Sequence, residues 1–396
     1  MPASFTVSRS HLAQLLFSIL AFFARRRPIS AQKSLDEAER ILLFKPDGIG
    51  DFILWSALFQ ELDRRCSNAR ITILCCAPTG ELVRRMFANW KVVQIPRRPK
   101  NIPSFLWMLF KHPNLCLIKK QDVLLDLRPH RASWELLYVI FLRAAYKVGL
   151  QRSAPTFRGT VLPEKSFFDL YIPEAEACRT KSDGQDCAEL NSVRQLSARL
   201  WRSAPTSNMP DLRFFSWPLP KMPADKKFWV IGPFSGNAIR DYPLPKWKEV
   251  LQQLVSQVPG PDCLLICGAP SQRNQAAHFK QILQGVLPVA NLSGRHQLDE
   301  TAGVLLQSEL VFATESALAH LSVALRRPTV AILGGGHYGL FAPWGTNHAP
   351  VHWLKNHINC YGCNWRCIYP SAICISDIPP DQIIKKSLQL LARPAS

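Results

Sequence analysis

The sequence predicts an α/β protein with two Rossmann-like domains, each a mostly parallel, doubly wound sheet, facing one another across a cleft. Short apolar runs alternate with amphipathic helical stretches along most of the chain. The alternation pauses in a proline-rich stretch near 205–227 and then restarts. A chain of 396 residues, 47% of them hydrophobic, suffices for two cores. We therefore expect domains at 39–222 and 223–378, preceded by an N-terminal segment at 1–38 and followed by a helix at 379–396.

The first half opens with a predicted strand at Ile41–Phe44 and a predicted helix at Phe52–Arg65, whose apolar residues recur at helical spacing. Three further apolar runs predict strands, namely ARITILCCA, KVVQI and DVLLDL. A helical stretch from Ser133 to Tyr146 follows them. Ligands of such sheets bind beyond the carboxyl ends of the strands, so the loops that follow the strands are the candidate site.

The second half repeats this pattern. Its predicted strands are FWVIGPF, CLLICGAP, VANLSG, LVFAT and TVAILGG. Between them we predict the helix LPKWKEVLQQLVSQV and helices that begin near Gln272, Leu298 and Ala317.

The chain is strongly basic, with 48 Lys and Arg against 29 Asp and Glu, a net charge of +19. Residues 81–152 alone hold 14 basic and 4 acidic residues, more than half of the excess. Such a field attracts polyanions such as anionic lipid head groups or phosphorylated glycans, although a solvated basic face would have the same composition. No nucleic-acid-binding motif occurs, so nucleic acid is not an expected partner.

The N-terminal segment combines an apolar run, Leu12–Ala24, with three arginines at 25–27. The run is shorter than the roughly 20 residues that span a bilayer, and its basic cluster follows the run, whereas in a secretory signal it would precede it. We expect an interfacial helix on a membrane surface, with an ordinary packed first helix as the alternative. Twelve cysteines spread over a long chain without a cleavable signal favour a reduced, cytoplasmic setting.

Two glycines and an acid follow the first predicted strand, in the stretch FKPDGIGDFIL. Gly48 and Gly50 permit a tight turn with close backbone approach. Asp51 then falls near the N-cap of the next helix, where the helix dipole favours an ionised carboxylate. An ionised acid that faces a cleft can act as a general base, although a plain helix cap would explain the same residue.

Polar residues also follow the strands of the second half. Ser316 and His320 share a helix face, and the first amides of that helix with the Ser316 hydroxyl could bind a pyrophosphate. In GPFSGNAIRDYP, Ser235 and Gly236 follow a strand, with Arg240 and Lys246 close enough to neutralise a departing diphosphate. A capping serine, a packed histidine and surface cations are the alternatives.

The run GGGHYGLFAPWG matches G-x-G-x-x-G, but a helix cannot continue easily through LFAPWG, so we exclude a nicotinamide site. We interpret the run, including Gly335, as a loop whose backbone amides approach a phosphate or sugar. A flexible turn is the alternative.

Together these loops resemble glycosyltransferase family 9, the ADP-heptose:lipopolysaccharide heptosyltransferases, from about Ile41 to Leu391. KPDGIGDFIL is similar to the family's G-x-G-D opening, ATESALAHLSVALRRPTVAILGG parallels its D-T-G-x-x-H-L-x-x-A segment, and FAPWG also resembles it. The resemblance implies a GT-B architecture, with an acceptor side in the first half and a nucleotide-sugar donor side in the second. It also implies inversion at the anomeric carbon, with no metal or other cofactor required for catalysis.

The resemblance also implies roles for individual residues. Asp51 is similar to the family's catalytic base. The implied donor-binding residues are Ser235, Gly236, Arg240, Lys246, Glu315, Ser316, His320 and Gly335. The candidate acceptor-binding residues are Gly48, Gly50, Arg128 and Arg131.

Three departures from the family pattern concern the donor. Glu315-Ser316-Ala317 stands where the family usually has Asp-Thr-Gly, and RDYP stands where it tends to have Lys-x-Trp-Pro. After CGAP, Ser271 and Gln272 replace an expected acid near the nucleotide. The reaction type is therefore better supported than the identity of the donor.

A cysteine cluster precedes the last predicted helix. Cys360, Cys363, Cys367 and Cys374 place four thiols within fifteen residues, enough for one Zn²⁺ or an iron–sulfur cluster. Their spacing differs from that of a standard zinc ribbon, and paired or free thiols are the alternatives.

The sequence thus predicts an inverting, heptosyltransferase-like glycosyltransferase that moves a heptose or related sugar from a nucleotide diphosphate to a lipopolysaccharide core or similar acidic glycolipid. We expect it in the cytoplasm, peripherally associated with the inner membrane. The alternatives are a transferase of the same fold with another nucleotide-sugar donor, and a non-catalytic relative that binds sugar nucleotides or lipid. Asp51 argues against the second alternative.

Overall fold

A computed structural model describes residues 35–95, 107, 110–111, 121–128, 139, 142, 144–151, 156–157, 160–161, 167–173, 187–201, 205–207, 209–220 and 226–393. The expected interfacial helix and Arg131 lie outside these residues, so both remain predictions. Within them, no helix combines the length and the apolarity needed to cross a membrane.

The first sheet has six parallel strands in the order β3-β2-β1-β4-β5-β8. A separate antiparallel pair, β6 and β7, lies outside this sheet. The strands of the first half are β1 (Arg40–Phe44), β2 (Arg70–Cys75), β3 (Lys91–Gln94), β4 (Gln121–Asp126), β5 (Ala144–Gln151), β6 (Thr156–Phe157), β7 (Thr160–Val161) and β8 (Leu170–Pro173).

The second sheet has the equivalent order, β11-β10-β9-β12-β13-β14, and is also parallel throughout. In each sheet the order reverses beside the first strand, which is the doubly wound arrangement that the sequence predicts. These strands are β9 (Phe228–Gly232), β10 (Cys263–Ile266), β11 (Val289–Asn291), β12 (Leu310–Ala313), β13 (Thr329–Ile332) and β14 (Val351–Leu354).

Helices join the strands. They are α1 (Ile49–Arg65), α2 (Ala77–Met86), α3 (Ala188–Leu200), α4 (Leu244–Gln257), α5 (Arg273–Ile282), α6 (Leu298–Gln307), α7 (Ala317–Ala324), α8 (Ile373–Ser376) and α9 (Pro380–Leu391). Short 3₁₀ turns occur at Leu35–Glu37, Ala238–Arg240, Pro270–Gln272 and Gly335–His337.

The structure differs from the predicted elements in several places. The chain is already a strand from Ala144, although the predicted helix ran to Tyr146, because alanines favour a helix while pairing with β4 decides the outcome. The edge strands β8 and β14 were not predicted, because four residues are too few to show the alternation of apolar and polar residues that identifies a strand. Helix α1 begins at Ile49, three residues before the predicted start.

Small residues bring α7 close to the second sheet. Ala313 of β12, Ala319 of α7 and Ala331 of β13 are fully buried against one another. A Cβ on Gly232 would lie 2.4 Å from Cδ2 of Leu318, so glycine is required there for this close approach. The first turn of α7 is thereby held at the carboxyl ends of β9 and β12.

The chain forms two compact units whose limits differ from the predicted division at 222. Unit 1 contains 1–47, 60–175 and 195–206, and unit 2 contains 48–59, 176–194 and 207–396. The first turns of α1 therefore belong with the second sheet. The start of α3 is tied to the same unit, because the N–H groups of Ala188 and Glu189 donate to the carbonyls of Gly339 and Leu340.

Candidate active site

The turn from Gly48 to Asp51 leads from β1 into α1. Asp51 lies in the first turn of this helix and not at the residue before it, because the helix begins at Ile49. Its Oδ2 accepts the N–H of Gly48 at 3.1 Å, which is the acidic half of a capping box. Asp51 therefore stabilises the helix start, and because it is only half-buried its carboxylate also remains accessible.

Gly50 packs directly on His320. A Cβ on Gly50 would lie 2.9 Å from Cδ2 and 3.5 Å from Nε2 of the imidazole. The missing side chain thus makes room for the histidine. This contact brings two motifs that are 270 positions apart in the chain into one site within unit 2.

His320 is held as a neutral imidazole of one tautomer. Its Nδ1 accepts the indole N–H of Trp344 at 2.9 Å, so the ring proton is assigned to Nε2. Burial and, to a smaller extent, the positive charge of Arg240 together lower the pKa of His320 to about 4. The Nε2–H donates to no residue that the structure describes, which leaves it available to a ligand.

Three consecutive residues between β12 and α7 carry buried polar atoms without partners in the described part of the chain. They are Thr314 Oγ1, Glu315 Oε2 and Ser316 Oγ. Ser316 is the N-cap residue of α7, yet its hydroxyl does not cap the helix. Buried polar atoms without partners are rare in proteins and indicate a place where an absent ligand supplies the hydrogen bonds.

The loop after β9 carries Arg240. Nε of Arg240 is buried without a partner among the described residues, and its Cζ lies 6.0 Å from the ring centre of Trp365. The Ser235 hydroxyl is used locally, since it donates to the carbonyl of Asn237 at 2.6 Å. The N–H of Ser235 donates to Asp241, whose pKa is raised by burial against the opposing effects of Ser235 and Arg240. Arg240, rather than Ser235, is thus the group left for a ligand.

The glycine run at 334–336 does not form the open loop that the sequence analysis expected. A Cβ on Gly335 would lie 2.4 Å from the Tyr361 ring, and Cβ atoms on Gly334 and Gly336 would lie 2.2 and 2.4 Å from the Trp365 ring. The N–H of Gly335 donates to Sγ of Cys374 at 3.3 Å. The glycines accommodate aromatic rings, so the expected contact of Gly335 with a phosphate or sugar is not supported.

Two other expected ligand contacts have structural partners instead. Nζ of Lys246 donates to the carbonyl of Ser376 at 2.6 Å, which ties α4 to α8. Arg128 is fully buried and donates from Nε and Nη2 to the two carboxylate oxygens of Asp126 at 2.8 and 2.6 Å. Its guanidinium also stacks 4.1 Å from the Phe44 ring centre. Lys246 does not join the donor cluster, and Arg128 is not exposed to an acceptor.

The cysteine cluster shows no metal geometry. Among the described residues, no group of three or more His, Cys, Asp or Glu side chains is arranged to hold an ion. Burial, together with the nearby thiols of Cys363 and Cys367, raises the pKa of the Cys360 thiol. Cys374 is buried beside Gly335. The arrangement as it stands does not fit a metal, and metal binding remains a prediction.

The residues that orient the two imidazoles were not predicted from the sequence. Trp344 fixes His320, and Trp365 donates to Nδ1 of His337 at 3.0 Å. Trp344 lies in the FAPWG stretch, and a tryptophan in a loop that also contains proline and glycine could have been identified from the sequence as a candidate site residue. His337 and Trp365 gave no signal, because 28 residues separate the two partners.

Comparison with known proteins agrees with this geometry. Residues 185–366 match the family model of glycosyltransferase family 9 (heptosyltransferase), a match that includes the Arg240 loop, the β12–α7 turn and both indole–imidazole pairs. The second half of the chain is thus similar to glycosyltransferase family 9. The protein is therefore a glycosyltransferase, and the resemblance seen in the sequence is confirmed. No curated protein sequence matches the chain significantly.

Solved structures extend the likeness in fold to nearly the whole chain. A glycosyltransferase of family 9 from Veillonella parvula has a TM-score of 0.66 at 14% identity, covering 89% of this chain and 97% of its own. E. coli heptosyltransferase WaaC with ADP has a TM-score of 0.62 at 17% identity, covering 88% and 99%. E. coli ADP-heptose LPS heptosyltransferase II has a TM-score of 0.59 at 16% identity, covering 89% and 98%. The predicted GT-B-type fold is confirmed.

Proposed function

We propose that this glycosyltransferase moves a heptose or a related sugar from a nucleotide diphosphate to a hydroxyl of a lipopolysaccharide core or similar glycolipid. The observation that carries the proposal is the packing of Gly50 on His320. It brings the turn that bears Asp51 to the helix whose N-terminus and buried polar atoms await a ligand. A base and an anion site at one place are what an inverting transfer from a diphosphate donor requires.

In the proposed reaction, the acceptor oxygen attacks the anomeric carbon from the face opposite the diphosphate. Asp51 takes the hydroxyl proton as the new C–O bond forms. The bond between the anomeric carbon and the diphosphate breaks, and the nucleoside diphosphate leaves with both electrons. Arg240, the amides at the start of α7 and the Nε2–H of His320 stabilise the negative charge that grows on it.

A nucleotide-heptose donor is supported by two fold neighbours, one solved with ADP and one named for ADP-heptose. Glu315 favours a second candidate within the same activity, namely another sugar. Its side chain is one methylene longer than the family's aspartate and its Oε2 has no partner among the described residues. A change in the shape of the sugar pocket is therefore expected.

We further propose that catalysis proceeds without a divalent metal. No D-x-D triplet occurs in the sequence, and the positive charge of Arg240 is already present to neutralise the diphosphate. The basic region at 81–152, which includes Arg131, suits a phosphorylated acceptor at the cytoplasmic face of the inner membrane.

The deciding experiment screens the purified protein against a panel of nucleotide sugars and measures release of nucleoside diphosphate in the presence of glycolipid acceptors. Asp51→Asn should then bind the donor as the wild type does and turn over at least roughly 10²-fold more slowly, since a general base typically contributes that much. Wild-type turnover by Asp51→Asn would leave Asp51 as a helix cap only.

A further inference from the structure

His337 and Trp365 form a second indole–imidazole pair beside Glu315. The Trp365 indole donates to Nδ1 of His337 at 3.0 Å. That same Nδ1 lies 3.6 Å from Oε1 of Glu315. A nitrogen that accepts the indole proton carries none of its own, so the short approach to Glu315 is not a hydrogen-bonded ion pair. The imidazole proton belongs on Nε2.

The backbone around Trp365 is built to place this ring. Asn364 and Trp365 have positive φ angles of 51° and 61°, a left-handed conformation that is uncommon for a residue as bulky as tryptophan. The N–H of Asn364 donates to the carbonyl of Gly336 at 3.1 Å. Without Cβ atoms, Gly334 and Gly336 leave the space that the indole fills. The backbone conformation at 364–365 and the space left by Gly334 and Gly336 together fix the position of the Trp365 ring.

The His337 pair repeats the design at His320. In each pair an indole N–H occupies Nδ1, which leaves Nε2–H as the only polar group of the ring that can meet a ligand. The Nε2–H of His337 donates to no residue in the described ranges, and the ring is partly exposed. Because Trp365 holds the His337 imidazole in one tautomer, its partly exposed Nε2–H is already oriented as a hydrogen-bond donor before any ligand binds.

The negative charge of Glu315 determines which part of a nucleotide sugar can bind beside Glu315 and His337. Glu315 is buried, and its Oε2 has no partner among the described residues. A phosphate oxygen next to this carboxylate would be repelled by it. Sugar hydroxyls satisfy both groups, because a hydroxyl can donate to the carboxylate and can accept from the Nε2–H.

We infer that His337, held by Trp365, is a specificity-determining residue that binds hydroxyls of the transferred sugar together with Glu315. The inference rests on the proposed function and deepens it. Arg240 and His320 serve the diphosphate, whereas His337 and Glu315 distinguish one sugar from another. Trp365 acts through His337 and is a positioning residue.

The test compares two ligands by titration calorimetry on the full-length protein, namely ADP and the nucleotide sugar that the wild type uses in the screen above. His337→Ala should weaken the nucleotide sugar roughly 3- to 10-fold, the loss of one neutral hydrogen bond, and leave ADP unchanged. Arg240→Ala should weaken both ligands. His278→Ala, an exposed histidine on α5, is the matched control and should change neither.

A second variant separates positioning from folding. Trp365→Phe keeps an aromatic ring but removes the indole N–H, so His337 should lose its single tautomer, which ¹⁵N NMR of the imidazole reports directly. The affinity for the nucleotide sugar should fall while that for ADP stays. Equal losses for ADP and nucleotide sugar, or no loss, in His337→Ala would overturn the inference while leaving the proposed transfer intact. A wild type that releases diphosphate from no nucleotide sugar would overturn the proposed function itself.

Discussion

The lowered pKa of His320 makes the stability of the protein depend on pH in a way that can be calculated. Above about pH 6.5 the imidazole is neutral in the folded and the unfolded chain, so it contributes no pH dependence. As the pH falls below this value, the unfolded chain binds a proton, whereas the folded chain resists it until the pH reaches about 4. Folding stability is therefore lost progressively across this window.

The size of the loss follows from the two pKa values. Each pKa unit corresponds to about 1.4 kcal/mol. The fall from 6.5 to about 4 then amounts to about 3 kcal/mol in total, of which about 2 kcal/mol is lost by pH 5. The cost is physical: a charged imidazole would have to form inside a dry site, with Arg240 nearby and with Nδ1 already taken by the Trp344 proton.

Urea unfolding at about pH 7, 6 and 5, followed by tryptophan fluorescence, measures this loss. His320→Asn removes the titrating group and offers an amide oxygen where Nδ1 accepts the Trp344 proton, so its stability should fall less between pH 7 and 5 than that of the wild type. His278→Asn, which changes an exposed histidine, should keep the wild-type pH dependence. An identical pH dependence in His320→Asn and the wild type would show that His320 titrates normally and refute the reasoning.

Three further predictions follow from the site. Gly50→Ala should lower turnover roughly tenfold, because the added Cβ displaces His320 and the resulting strain of about 1–3 kcal/mol outweighs the gain of roughly 1 kcal/mol in helix propensity. Gly260→Ala, whose added Cβ would make an ordinary 3.4 Å contact, is the control and should keep wild-type turnover. Wild-type turnover in Gly50→Ala would show that His320 moves aside without cost. Arg240→Ala should raise the apparent KM for the donor and slow turnover, and activity should persist in excess EDTA; loss in EDTA that Mg²⁺ restores would contradict the proposed roles. Deletion of residues 1–30 should leave a folded protein that co-sediments less with anionic vesicles, and unchanged co-sedimentation would make the segment structural only.

Most of the predicted strands could be identified from sequence because they are short apolar runs followed by a loop that contains glycine or proline. The Gly50 turn and His320 were also identified, since both lie where a strand meets a helix. Lys246 was misplaced because sequence gives its distance along the chain from Arg240 but not the direction in which its side chain reaches. Its ammonium group binds the carbonyl of Ser376 on another element.

Arg128 and the glycine run show two other limits. A local charge count treats every arginine as a surface residue, yet Arg128 pairs with Asp126, two positions earlier and therefore on the same side of an extended chain. That spacing was a signal that the sequence analysis did not use. Glycines at 334–336 look the same whether they admit a phosphate or an aromatic ring, and only the folded chain reveals the Trp365 ring that fills the space.

The division of the chain into units also limits how its parts can be exchanged with those of relatives. A hybrid joined near residue 222 would take the donor-side sheet from one parent but the turn with Gly50 and Asp51 from the other. The imidazole of His320 would then meet a foreign backbone where it now fits against a glycine. A recombinant that is to keep its own chemistry must carry segments 48–59 and 176–194 together with the second half, so three segments with five junctions are inherited as one module.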